Sequence, residues 1–154
     1  MDANEMLRGQ LSRLLEKSEA HAGFDVAIAG IAPEGRGTRP AGLPHSAWEL
    51  LEHIRLAQRD ILEYCQKAPY VERPWPAGYW PETPEPPTPE AWDASVEAVR
   101  RDREEFQRLV EDPDVDLVGI VSHGTTQTLL REVLVAADHN AFHVGQLMVV
   151  RRLL

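Results

Sequence analysis

The sequence predicts an all-α fold: a single four-helix bundle spanning residues 1–154, with one long crossover connection. Three observations predict it. Apolar residues recur at three- and four-residue intervals in four long stretches, the spacing that lines one face of an α-helix. Eight of the twelve prolines crowd into the segment from Pro69 to Pro89, which neither a helix nor a central strand can hold. At 154 residues the chain has the size of one domain and can bury a full core without staples.

The first helix is expected from about Asn4 to Gly30, where Leu7, Leu11, Leu14, Leu15, Ser18, Ala22, Val26 and Ala29 keep helical spacing. A loop dense in helix breakers, from Pro33 through Gly35 and Gly37 to Pro44, ends it. Ser46 and Glu49 form a capping box, in which each side chain satisfies a free backbone N–H, so the second helix starts there and runs to about Lys67. The proline-rich linker that follows carries Tyr70, Trp75, Tyr79 and Trp80. About 20 residues at roughly 3.3 Å each reach about 65 Å, more than the length of such a helix, so the linker can cross the whole bundle. The third helix is therefore free to run parallel to the second. Thr88 as N-cap and Pro89 at the first helical position open it, and Trp92, Val96, Val99, Arg103, Phe106 and Val110 continue it to Asp112-Pro113. A short mixed stretch follows, extended at Leu117–Val121, and the fourth helix runs from about Thr126 to the last residues.

Charge and composition exclude several classes of function. With 25 acidic against 16 basic residues and a formal net charge of -9, the surface field repels phosphate backbones and anionic headgroups, so neither nucleic acid nor a membrane is an expected partner. Cys65 is the only cysteine, which rules out an intramolecular disulfide. The N-terminus lacks the basic and apolar regions of a signal peptide, and no apolar run approaches the roughly 18 to 20 residues that span a bilayer. A soluble, cytoplasmic protein is expected.

Chemistry concentrates in the histidines. His139 and His143 lie four residues apart, about 40° beyond one full helical turn, so both rings leave the same face of the fourth helix. That face also carries Ala136, Leu147, Val150 and Leu154 and is otherwise apolar. Two imidazoles turned into a core need partners, which either a shared metal ion or separate hydrogen bonds would supply. His53 lies on the apolar stripe of the second helix with Leu50, Ala57 and Ile61. Three inward histidines from two helices would hold a metal ion and leave it room for water or substrate. His21, His45 and His123 are read instead as solvated or capping residues, and Cys65 as part of the core.

The text His45-Ser46-Ala47-Trp48-Glu49-Leu50-Leu51-Glu52-His53-Ile54, followed later by Leu130-Arg131-Glu132-Val133 and Ala137-Asp138-His139-Asn140-Ala141-Phe142-His143-Val144-Gly145-Gln146-Leu147, resembles the DinB/YfiT-like superfamily of metal-dependent helical proteins. The resemblance implies an up-down-down-up bundle in which His53, His139 and His143 bind a divalent transition metal such as zinc, nickel or iron, commonly in a homodimer. It does not fix the activity, because members include thiol S-transferases that use bacillithiol, an isomerase that uses mycothiol, and many proteins with no known reaction. The leading expectation is a metal-dependent transferase that moves a low-molecular-weight thiol to a small electrophilic substrate. A hydrolase using metal-bound water, or a stress protein that binds metal or ligand without turnover, are the alternatives.

Around the histidines, Glu132 lies seven residues before His139 and is better placed than the adjacent Asp138 to orient a ligating ring; either is otherwise an exposed acid. Gln146, three residues beyond His143, is a pocket candidate. Trp75, Tyr79 and Trp80 either plug the end of the bundle or wall a substrate pocket.

Overall fold

The computed structural model describes residues 2–16, 19–66 and 69–154. The described residues form five α-helices, α1 (Ala3–Glu16), α2 (Phe24–Ile28), α3 (Ala47–Cys65), α4 (Pro89–Glu111) and α5 (Leu129–Leu153), and two short 3-10 helices at Pro33–Gly35 and Ala77–Tyr79. No described helix is long and apolar enough to cross a membrane.

The predicted first helix is divided. After α1 the chain bends through 19–21, and Gly23 then opens the short α2, whose Phe24 and Ala27 are buried. Ser18, part of the predicted stripe, lies outside the described residues. The break accompanies a change of packing, since α1 lies mainly against α4 and less against α5, whereas α2 lies against α5. Gly30 takes φ +79 just beyond the end of α2, in the left-handed region that only glycine adopts at little cost. Arg151 of α5 donates to the Val26 and Ala29 carbonyls, so a cation meets the electronegative end of α2.

Hydrogen bonds between helices give their directions. Glu52 pairs with Ser95, Gln58 with the Val99 carbonyl, Arg59 with Asp102, and Gln66 with Glu105, so α3 and α4 run the same way. Along α5 the sense is reversed, with His53 beside His143, Gln58 bonded to Asn140, and Cys65 near Glu132. Buried Arg8 of α1 donates to the Val110, Asp112 and Val115 carbonyls while Ser12 reaches Glu111, which sets α1 antiparallel to α4.

Parallel α3 and α4 require the chain to return from the end of α3 to its beginning. The segment 69–88 does so by lying along α3. Tyr70 and Tyr79 donate their hydroxyls to Asp60, the Tyr79 carbonyl accepts from His53, and the Pro84 carbonyl accepts from Ser46, one contact after another towards the start of the helix.

The helix starts follow the capping chemistry. Ser46 and Glu49 form the capping box of α3, which ends at Cys65 with Gln66 as its cap; the predicted end at Lys67 falls outside the described residues. Thr88 occupies the N-cap of α4 ahead of Pro89, although its hydroxyl makes no capping bond. α5 begins at Leu129 rather than Thr126, because Thr128 supplies the cap to Arg131 while Gln127 accepts from the Thr125 and Thr126 amides and holds them in a turn. Leu117–Val121 is not a strand: Asp116 accepts from the Val118 amide, and Ile120 makes only an isolated bridge to Thr128. Leu117 and Val121 are buried there as plugs.

The apolar core has two parts. One joins Phe24, Trp48, Leu51, Ile54, Trp92, Val96 and Leu147; the other joins Leu11, Leu62, Phe106, Val110, Leu129 and Val133. A polar layer containing Gln58 and Asn140 separates them, and the three histidines stand at its edge.

Ser46 is fully buried and serves both the cap of α3 and the linker. Ser46→Ala is expected to destabilise the protein by about 1–2 kcal/mol, by removing the cap and leaving the Pro84 carbonyl without its donor. Urea unfolding measures this, and a midpoint equal to that of the wild type would contradict it.

Candidate metal centre

His53 comes from the second turn of α3, and His139 and His143 come from adjacent turns of α5. Antiparallel packing of these helices brings the three rings together, with centroids 4.9, 4.4 and 4.5 Å apart for the pairs 53/139, 53/143 and 139/143. One ligand nitrogen from each lies within 4.8 Å of the others. His53 and His139 face each other through their Nε2 atoms at 3.1 Å.

The outer nitrogens decide the tautomers. His53 Nδ1 lies 2.8 Å from the Tyr79 carbonyl, which can only accept, so Nδ1 carries the proton and Nε2 the lone pair. His143 Nδ1 is held 2.7 Å from Gln146 Oε1. His139 Nδ1 makes a longer contact, 3.4 Å, to Asn140 Oδ1. Asn140 then donates to Gln58, which donates to the Val99 carbonyl of α4, so this third ring is tied to two further helices. Each ring thus has an acceptor outside and a lone pair inside.

Burial keeps the rings neutral. Desolvation lowers the pKa of all three below the ordinary imidazole value, opposed by the hydrogen bonds that the rings donate to Tyr79, Asn140 and Gln146. His143 falls furthest, to about 4, because charge on His139, His53 or His45 would also repel its proton. Neutral imidazole is the form that ligates metal.

Half-buried His45, expected to be a solvated or capping residue, stacks on Trp80 at 4.1 Å, and Trp80 stacks on His53 at 4.0 Å with the rings within 2° of parallel. Its position beside Pro44 and the helix start concealed this, since the partner arrives from a linker 35 residues away. Tyr79 and Trp80 cover one side of His53. Trp75 is 80% exposed, and its ring lies against Tyr79 rather than against a histidine of the triad. Glu132 is buried by the second apolar cluster, paired with Arg131 and close to Cys65, and none of the triad's outer hydrogen bonds goes to it. Asp138 is exposed. Asn140 and Gln58, which support His139, were not foreseen; amide side chains one residue from a candidate ligand and on the facing helix are the signal that could have marked them.

A family model described as the DinB superfamily matches residues 18–147. The chain belongs to the DinB superfamily. No curated protein and no solved structure gives a significant match.

For this DinB-superfamily bundle the donor set fits a metal ion. Tetrahedral ligands with metal–nitrogen bonds near 2.0–2.1 Å stand about 3.4 Å apart, and the two facing Nε2 atoms are 3.1 Å apart. Without an ion, that contact can be a hydrogen bond only if one ring gives up its outer proton donor.

The lowered histidine pKa values couple stability to pH. An unfolded imidazole titrates near 6.5; the folded His143 titrates near 4. Between these values the unfolded chain binds the proton and the folded chain does not, so acid favours unfolding. The metal-free protein should lose about 3 kcal/mol through His143 alone as pH falls from about 6.5 to 4. Urea unfolding at stepped pH measures this, and a slope as steep in His143→Ala as in the wild type would contradict it.

Proposed function

We propose that His53, His139 and His143 hold one divalent transition metal ion, and that the protein is a metal-dependent enzyme transferring a low-molecular-weight thiol to a small electrophile. The observation that carries the metal reading is the convergence of three neutral imidazoles whose outer nitrogens are all committed elsewhere. No fourth His, Cys, Asp or Glu joins the group among the described residues, which favours a site that takes an exogenous ligand over a closed structural one. An ion bound there would retain its double positive charge and lower the pKa of a bound thiol or water towards neutrality.

The chain's own residues bind, orient and exclude. Tyr79 and Gln146 fix the ring planes of His53 and His143, and the Asn140–Gln58 chain fixes His139. Trp80 shields the face of His53 from water. The transferred thiol has to come from outside: burial, reinforced by Glu132, pushes the Cys65 thiol up to about 12, which leaves it protonated and unreactive at neutral pH. Thiol transfer rather than hydrolysis is supported by the superfamily resemblance.

Protein purified without a histidine tag should carry about one metal ion per chain. His53→Ala, His139→Ala and His143→Ala should each lose most of it while the helical circular dichroism persists, and unchanged stoichiometry in all three would sink the site. With a panel of low-molecular-weight thiols and a chromogenic electrophile, turnover should require both thiol and metal. Turnover with water alone would make the protein a hydrolase, and binding without turnover would make it a ligand-binding protein.

A further inference from the structure

We propose that the cavity between the 43–45 loop and α5 receives an uncharged apolar group of the substrate, a single aromatic ring or a branched aliphatic chain of similar size. This rests on the proposed metal centre for the position of the substrate's reacting end, while the cavity itself does not. It measures about 300 Å³ and is lined by Leu43, Leu50, Phe142, Gly145, Val149 and Val150, with no Asp, Glu, Lys or Arg. A dry apolar cavity of about 150 Å³ admits benzene, so this one has room for a ring with a short chain.

Three contacts join the cavity to the triad. Gln146 lines it and holds His143 Nδ1 at 2.7 Å. His45 lines it and stacks on Trp80, which covers His53. The Phe142 ring stands edge-on to the His143 ring at 5.0 Å. The cavity therefore adjoins the triad through the neighbours of His53 and His143 rather than through the ligating nitrogens themselves, and a substrate whose polar end is held at the triad would place its apolar end here.

Gly145 is the most telling residue. It lies inside α5, where glycine weakens a helix relative to alanine. A Cβ added there would meet no atom within 4 Å, and the φ is helical, so neither crowding nor backbone conformation calls for glycine. Gly145 is itself exposed, and its effect is to leave the α5 side of the cavity open. Phe142 and Val149 beside it are 64% and 44% exposed, apolar surface that a ligand would cover. A second copy of the chain could also cover it, but a flat helix contact would not need the pocket that the 43–45 loop encloses.

Acetohydroxamate and phenylacetohydroxamate share a metal-chelating head and differ by one phenyl ring. Zinc-loaded wild type should bind the phenyl compound at least about ten-fold more tightly. Gly145→Leu should abolish that advantage while keeping zinc content and acetohydroxamate affinity. In metal-free protein, benzyl alcohol should shift the backbone amide signals of Phe142, Gly145 and Val149, and Gly145→Leu should suppress this response. If zinc fails to bind while benzyl alcohol still shifts those signals, the metal centre is wrong and the cavity stands. Equal affinity of the two hydroxamates, or an advantage that survives Gly145→Leu, overturns the cavity. So does a wild-type dimer in sedimentation that Gly145→Leu converts to monomer with no change in probe binding, because the face would then join two copies. If the leucine variant loses its helical signal, Val149→Trp fills the same space from the rim and decides on the same readouts.

Discussion

Three neutral imidazoles where α3 meets α5, those of His53 and His143 buried and that of His139 half-buried, constrain the surrounding structure. A ring in that position costs stability unless both nitrogens have partners, and the interior provides few. The inner nitrogens face one another, so the outer ones need acceptors from different directions. They find a linker carbonyl at Tyr79, an amide one turn along the same helix at Gln146, and an amide chain through Asn140 and Gln58 to α4. Every major element except α1 and α2 is tied to the triad.

The order of the helices turns this constraint into a working arrangement. Because α3 and α4 run parallel, the connection between them has to travel back along the bundle, and it does so over His53. The crossover demanded by topology thus becomes a wall of the site. Its course is set by point contacts rather than by secondary structure: Asp60 takes both tyrosine hydroxyls, and Ser46 takes the Pro84 carbonyl. Prolines suit such a segment, since they cannot join a helix and lose little entropy when held in place.

Where a feature depends on local chemistry, it was legible in the sequence. The capping box at Ser46 and Glu49, the Pro89 start and the four-residue spacing of His139 and His143 are local patterns, and each appears at its place. What depended on distant neighbours was not legible. The first amphipathic stretch reads as one helix because its apolar spacing continues, yet the main partner of its first half is α4 and that of its second half is α5. His45 reads as a solvated loop residue until Trp80 arrives beside it. Trp75 and Trp80 look alike in composition, and only the turn at Ala77–Tyr79 sends one onto His53 and the other into solvent. Seven-residue spacing made Glu132 attractive, but two helical turns amount to about 10 Å along the axis, too far for a hydrogen bond to His139.

On α5 the apolar pattern lacks a single direction. Val133, Ala136, Val144 and Leu147 are buried, whereas Leu134, Val135, Phe142, Val149 and Leu153 are exposed, so hydrophobicity alone cannot separate core from surface there. The functional layout accounts for part of this ambiguity. His139 and His143 face α3, while Phe142, Gly145, Gln146 and Val149 line the cavity beneath the 43–45 loop. Candidate metal ligands and candidate apolar contacts therefore belong to one continuous helix, and their separation is set by its rise and turn rather than by loop closure. A substrate that satisfies both must match that spacing, which makes molecular shape the basis of selection at a site with no Asp, Glu, Lys or Arg in its apolar half.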